Sequence, residues 1–570
     1  MKYLYAVLTF PDSGTLSMKV ANYSPCGEGR SRGIPGGNDM NLRTRAVWSA
    51  TWTLAFGSAW TVAAEPAELF EIHEIDTGAA PYQTVLPGSF TTTEHPELAV
   101  VEGAVGGETR LTIHRLEAGA WPVVMETTLD EGVLFVDVAN VDGRDHPVLY
   151  RRGRITLFDA ATARECCART VGTAYRAAPD AGAVPRVDVT RDLNGDGRDD
   201  LVVPDTGGFW IALQAPDGSL SDAVPLGPPE PHLDEHPYGE PRTYGEAGIT
   251  SEQVPWYLGR VHAMDYDRDG RSDLVFWNGD RFEVHRQDAA GGFLAAPETF
   301  DVEVPFDFDG AYALAFQFDD VGVPSLLLGL GGRFEYTVLH GFRDLNADDL
   351  SDLVTLTVAG RRLFSARGRF DIHFGRPTPG GTAFGSTPDA TLETPGPAAG
   401  MASGYATQRY LDLDGDGATD FGLASVDTGL GGMVRAMAGK SVTMDLALYR
   451  QRDGDYPRRP DLVRRVRTPF APFNRRGVLF PTVLIGDVTG DGRVDLLAAE
   501  RWDRLSVFLG VPGPELLAAD PVQVAVQAPR DERTAMLADL DRDGRQDVVI
   551  HYPSDGAAHR VAVLMARGGR

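Results

Sequence analysis

Six stretches of the chain place oxygen-bearing side chains at the same relative positions, 0, 2, 4 and 8. The first three are Asp192, Asn194, Asp196 and Asp200; Asp265, Asp267, Asp269 and Asp273; and Asp344, Asn346, Asp348 and Asp352. The others are Asp412, Asp414, Asp416 and Asp420; Asp487, Thr489, Asp491 and Asp495; and Asp539, Asp541, Asp543 and Asp547. This is the chemistry of a hard cation: calcium takes about six to eight oxygen ligands at roughly 2.3–2.6 Å. In a tightly wound loop the side chains at positions 0, 2 and 4 point inward, and the carboxylate at position 8 can bind through both oxygens. The main-chain carbonyl at position 6 is expected to add a ligand, from Arg198, Arg271, Leu350, Ala418, Arg493 or Arg545. A backbone donor leaves the side chain there free to vary. Position 5 is glycine in five copies (Gly197, Gly270, Gly417, Gly492 and Gly544), as expected where the chain turns sharply at positive φ. Up to six calcium ions per chain are therefore expected.

Aspartate and glycine also mark ordinary tight turns. Six copies that share the fourth carboxylate, each between two apolar runs, favour metal loops over turns. An EF-hand would need a glutamate at its twelfth position and flanking helices, whereas these loops are flanked by strand-like runs such as Leu201–Val203, Leu274–Phe276 and Val548–Ile550. Three departures stand out: Asp349 replaces the glycine, Thr489 is a weaker ligand, and Asn194 and Asn346 are neutral.

The loops need a scaffold that repeats. Two degenerate copies lie upstream: one from Ser89 keeps only Glu97, and one from Val138 keeps only Asn140 and Asp142; both are expected to be metal-free. The eight starts are separated by 49, 54, 73, 79, 68, 75 and 52 residues. Such spacing fits one four-stranded antiparallel sheet per repeat, and a radial ring of such sheets is a β-propeller. The expected fold is all-β, with eight blades favoured by the count and seven as the alternative. Leu69–Ile75 is expected to complete the last blade from the other end of the chain, which would remove an exposed edge. Insertions are expected around 226–256, 303–335 and 376–404 within one propeller domain over residues 65–570.

With these residues in view, the chain resembles the FG-GAP and VCBS-type repeats of integrin-α-like propellers over about residues 65–570. The Phe-Gly and Gly-Ala-Pro signatures of that family are mostly missing, so the resemblance is to its calcium-loop branch. It implies calcium at positions 0, 2, 4 and 8 of each full copy.

Composition bounds the partners. The net charge of −28 argues against nucleic acid, which needs a basic face. Residues 41–64 read as a secretory signal, with Arg43 and Arg45 before the apolar stretch Ala46–Val62 and a small-residue cleavage site at Ala63–Ala64. The stretch is at the lower limit of about 17 residues for a membrane span, and no basic stop-transfer cluster follows it. Residues 1–39 have no place ahead of a signal; they are expected to be a misassigned start upstream of Met40, or disordered. Removing residues 1–64 takes away six basic and three acidic residues, leaves a net charge of about −31, and removes Cys26. The adjacent pair Cys166 and Cys167 is no disulfide framework. A periplasmic or extracellular location follows, with no membrane span after signal cleavage.

No catalytic constellation is apparent. His232, Glu235 and His236 match an H-x-x-E-H zinc pattern, but Pro228, Pro229, Pro231 and Pro237 oppose the helix it needs. Met433–Met437 reads as packing, and the basic run Arg458–Arg467 as a solvated face or a seat for an anionic partner. The expected function is a binding or adhesion module for a protein or carbohydrate partner. The alternative is an exported propeller enzyme of lyase, hydrolase or quinoprotein dehydrogenase type.

Overall fold

The computed structural model describes residues 69–103, 108–130, 132–172, 182–205, 207–229, 258–309, 333–361, 366–397, 408–426, 440–469, 482–529, 534–553 and 559–567. The expected signal, the segment before it, Cys26, the H-x-x-E-H stretch and Met433–Met437 lie outside the described residues.

Each apolar run, acidic loop and second apolar run folds into two antiparallel strands. In the third blade Thr190–Arg191 pairs with Asp200–Asp205, and Gly208–Ala212 and Val224–Leu226 complete the sheet. The same order of four antiparallel strands recurs over residues 82–129, 133–170, 190–226, 262–300, 334–397, 408–469 and 483–524. The eighth sheet takes Ala535–Ala538, Asp547–Tyr552 and His559–Ala566 from one end of the chain and Phe70–Gly78 from the other. The chain is an eight-bladed β-propeller.

Closure is antiparallel, with Phe70 opposite Ala566 and Ile75 opposite Val561. It places a strand where the last blade would otherwise expose unpaired backbone groups. First strands of neighbouring blades touch one another: Val133–Val141 meets both Tyr82–Gly88 and Thr190–Arg191, and Val483–Gly486 meets Ala535–Ala538. They form the inner wall of the ring.

Apolar side chains on facing sheets fill the spaces between blades. Leu86, Val101 and Ile113 of the first blade pack with Val136 and Leu149 of the second. Tyr150, Val203, Phe276, Phe370 and Phe421 belong to one continuous cluster through blades two to six. Val488, Leu505, Val548 and Leu564 join blades seven and eight. Trp121, Val85 and Leu98 pack with Val549, Val561 and Ile75 and so bring the eighth blade against the first. Each fully buried aliphatic side chain contributes roughly 1.5–3 kcal/mol.

Blade five is the most elaborate. Phe308–Asp309 adds a short strand parallel to Phe334–Arg343. The stretch expected as an insertion at 376–404 instead holds the hairpin Gly375–Thr378 and Gly381–Phe384, followed by Ala390–Pro397, the blade's fourth strand.

Candidate metal centres

All six acidic loops join the first strand of a blade to its second. Two residues in each take a left-handed backbone. At position 5 these are Gly197, Gly270, Asp349, Gly417, Gly492 and Gly544, with φ from 63° at Asp349 to 86° at Gly544. At position 3 they are Gly195, Arg268, Ala347, Gly415, Gly490 and Arg542, with φ from 59° at Ala347 to 77° at Gly415. Position 5 was legible as glycine; position 3 was not, because Arg268, Ala347 and Arg542 hide it. A side chain with a Cβ costs about 1–2 kcal/mol in that conformation, so the loops with Arg268, Ala347, Asp349 and Arg542 hold strained turns.

The turn gathers oxygens. The carboxylate at position 0 accepts two main-chain N–H groups of its own loop: Asp192 Oδ1 from Asp196 at 3.1 Å and Oδ2 from Gly197 at 2.9 Å. Asp265, Asp344, Asp412 and Asp539 do the same, and Asp487 holds Gly492 and Gly490.

The position-8 carboxylates are buried, at 0–1 % exposure. One oxygen accepts the N–H of position 1, from Leu193, Tyr266, Leu345, Leu413, Val488 or Leu540. The other accepts an N–H just past the third strand or, in the last blade, at its end, from Gln214, Gln287, Gly375, Gln451, Gly510 or Ala566. Each loop is thereby pinned to its own sheet, and each oxygen keeps a second lone pair for a cation. Burial outweighs those hydrogen bonds and pushes the carboxyls up, to about 7 for Asp200 and Asp352 and to about 6 for Asp273, Asp420, Asp495 and Asp547. A nearby positive charge would reverse this.

Three loops bring three carboxylates within 4.8 Å of one another: Asp265, Asp267 and Asp269; Asp412, Asp414 and Asp420; and Asp539, Asp541 and Asp543. These are the copies with aspartate at position 2. In the other three the neutral residue bonds inward instead. Asn194 Nδ2 donates to Asp196 Oδ2 and Asn346 Nδ2 to Asp348 Oδ2, both at 3.0 Å, and Thr489 Oγ1 donates to Asp487 Oδ1 at 3.1 Å. Asp267 Oδ1 and Asp414 Oδ1 are buried and accept no hydrogen bond. Their second oxygens are held by Arg286 at 2.7 Å and Arg450 at 3.0 Å. An uncompensated buried carboxylate oxygen among two further carboxylates fits a divalent cation.

Position 6 is less indifferent to its side chain than expected. Arg198, Arg271, Arg493 and Arg545 each pair with the position-4 aspartate, respectively Asp196, Asp269, Asp491 and Asp543. Their main-chain carbonyls, like those of Leu350 and Ala418, remain on the loop as possible ligands.

The glutamines after the third strand carry a role that sequence reading missed. Gln287 Nε2 donates to the carbonyl of Asn194 at 2.7 Å, and Gln214 Nε2 to that of Asn140 at 2.9 Å. Each reaches the loop of the preceding blade. Both stand fourteen residues after the buried aspartate, at Asp273 and Asp200, and that spacing was the available signal. The degenerate copies have become something else. Asp142 and Gly143, with φ of 50° and 80°, form a two-residue hairpin turn, and buried Glu97 accepts hydrogen bonds from Thr91 and Arg115.

Two other candidates are spent on structure. In the basic run, Arg465 pairs with Asp445 at 2.7 Å, while Arg464 lies over the Phe508 ring and donates to the carbonyl of Ala518. Cys166 and Cys167 bring their sulfurs to 3.1 Å on the strand Arg164–Thr170, where burial pushes the Cys166 thiol up to about 12, far from a reactive thiolate.

Among the described residues no helix is long and apolar enough to cross a membrane. No curated protein matches the chain. Among solved structures, the chain is similar to a Tc holotoxin pore of Photorhabdus luminescens at 14 % identity and a TM-score of 0.29, covering 80 % of this chain and 18 % of that one. It is similar to an Agrocybe aegerita lectin described as recognising non-reducing terminal N-acetylglucosamine, at 14 % identity and a TM-score of 0.33, covering 77 % of this chain and 92 % of that one. A structure titled as the Dos1 propeller gives 10 % identity and a TM-score of 0.35, covering 87 % of this chain and 95 % of that one. Residues 487–550, which hold the acidic loops of blades seven and eight and run into the second strand of the last blade, match the family model of the FG-GAP-like repeat. The chain is a repeat-type β-propeller carrying an FG-GAP-like repeat, an architecture that serves as an interaction module.

Proposed function

We propose that the protein is an exported, calcium-binding propeller that presents a rigid ring to a protein or carbohydrate partner. The observation that carries the metal assignment is the pair of buried oxygens, Asp267 Oδ1 and Asp414 Oδ1, that accept no hydrogen bond within groups of three carboxylates. Calcium would give those two oxygens the partner that no hydrogen-bond donor supplies. Asp265, Asp267 and Asp269 would hold one ion, Asp412, Asp414 and Asp420 a second, and Asp539, Asp541 and Asp543 a third. The loops led by Asp192, Asp344 and Asp487 would bind more weakly, because position 2 gives them no carboxylate.

Calcium also serves the ring as a whole. The net charge of −28 repels itself, and each loop touches the neighbouring blade. The signal-like segment Ala46–Val62 behind Arg43 and Arg45 supports export into a calcium-containing space. Magnesium keeps its own waters and suits such a loop poorly. The test is the melting temperature of the chain in chelator, in calcium and in magnesium: calcium should raise it by several degrees and magnesium should not. A melting curve indifferent to all three would reduce these loops to turns.

A further inference from the structure

Blade five breaks the repeat on one face of its sheet. Three residues beyond the buried aspartate, the other loop-bearing blades carry Val203, Phe276, Leu423, Ala498 and Ile550, all buried. Blade five carries Thr355, at 2 % exposure, and then Thr357, at 4 %. Strand register places Thr355 opposite Asp371 and Asp371 opposite Thr391. The adjoining row runs Thr337, Thr357, Arg369 and Glu393. Thr355 thus puts a buried hydroxyl where the other loop-bearing blades put an apolar side chain, and burying it is costly without a hydrogen-bond partner.

That polar floor lines a cavity of about 690 Å³ whose walls include Val304, Pro305 and Pro388. Its two arginines are already paired. Arg369 Nε donates to Asp371 Oδ2 at 2.8 Å, Thr391 Oγ1 donates to Asp371 Oδ1 at 2.8 Å, and Arg458 Nη2 donates to Glu393 Oε1 at 2.9 Å. The Thr337 and Thr357 hydroxyls share a hydrogen bond of 2.9 Å.

We propose that this cavity binds a neutral saccharide of one or two sugar units. Three features decide the class. Paired arginines offer no uncompensated positive charge to an anion. Hydroxyls, carboxylates and guanidinium edges together suit a ligand whose every hydroxyl both donates and accepts. The valine and proline walls suit the C–H face of a sugar ring, and the volume lies within the usual range of about 300–1,000 Å³ for small-molecule sites. The assignment rests on reading the chain as a binding module, and it uses no calcium ligand.

The test is saturation-transfer NMR and calorimetry on the whole chain in calcium, with a panel of neutral mono- and disaccharides, and with galacturonate and inorganic phosphate as charged probes. At least one neutral sugar should bind. Thr355→Val, which restores the residue type of the other blades, should weaken it about tenfold, the worth of one good hydrogen bond, with an unchanged melting temperature. Asp371→Asn is the second variant and should weaken it further. Binding of no neutral sugar, preference for a charged probe, or full affinity in Thr355→Val would overturn the site. Calcium-dependent melting retained in such a case would overturn the sugar site alone, whereas its loss would also remove the reading on which the site rests.

Discussion

The Gln287 side chain donates to the Asn194 carbonyl at 2.7 Å, while the Gln287 main-chain N–H donates to Asp273 at 2.8 Å. One residue therefore ties the loop of blade three to the buried carboxylate of blade four. Two neighbouring loops are thereby joined through a single side chain. Arg542 Nη2 extends the same logic by donating to the Gly143 carbonyl at 2.7 Å, across to the turn of the second blade.

Gln287→Met keeps the main-chain contact and removes the clamp. It should cost about 1–2 kcal/mol, because the Asn194 carbonyl loses its donor in a part-buried place. Chemical denaturation should report that loss with an unchanged slope.

Asp414→Ala and Asn140→Ala separate metal from turn. Asp414 lies in a three-carboxylate group, whereas Asn140 caps a hairpin turn through Gly143 N–H at 3.1 Å. Asp414→Ala should lose part of its melting temperature in calcium and little in chelator. Asn140→Ala should lose the same amount in both. Equal calcium sensitivity of the two variants would contradict the loop assignment.

Acid should act oppositely with and without calcium. An aspartate in an unfolded chain titrates near about 3.9, and the six buried carboxyls titrate at about 6 to about 7. The folded state therefore holds these protons more tightly, so their contribution to stability is whole below the unfolded value and is lost as pH rises through 6 to 7. Chelated protein should melt higher at about pH 5.5 than at about pH 7.5 by this linkage. Calcium binds the ionised form and should reverse the order. Parallel curves in the two conditions would contradict it.

Closure of the ring rests on the strand Phe70–Gly78. Ile75, 4 % exposed, packs with Val561 and Trp121 in the cluster that joins blade eight to blade one. Ile75→Ala should cost about 2–5 kcal/mol, and hydrogen exchange should quicken in His559–Ala566 before other strands.

Much of this was legible because each loop announces itself. Asp192 to Asp547 recur with one spacing, and the apolar runs beside them became the first two strands of six of the eight blades. Leu69–Ile75 was legible as the closing strand because the last copy runs out of chain. Blade five hid its fourth strand, Ala390–Pro397, behind the hairpin at Gly375–Phe384, so spacing alone read it as an insertion. The left-handed turn at Arg268 and the clamp at Gln287 were illegible for another reason: neither residue type is specific to its role. Position 2 was noted as a departure in three copies, and the structure gives it consequence, since only aspartate there gathers three carboxylates.

The central claim is that the acidic loops hold calcium, and native mass spectrometry of the chelated chain titrated with calcium tests it most directly. The account predicts three tight ions, from the loops at Asp265, Asp412 and Asp539, with further weaker ones up to six as calcium rises into the range of about 10⁻⁴–10⁻³ M. A mass that stays free of specific calcium adducts across that range, or that takes up magnesium equally well, would contradict it.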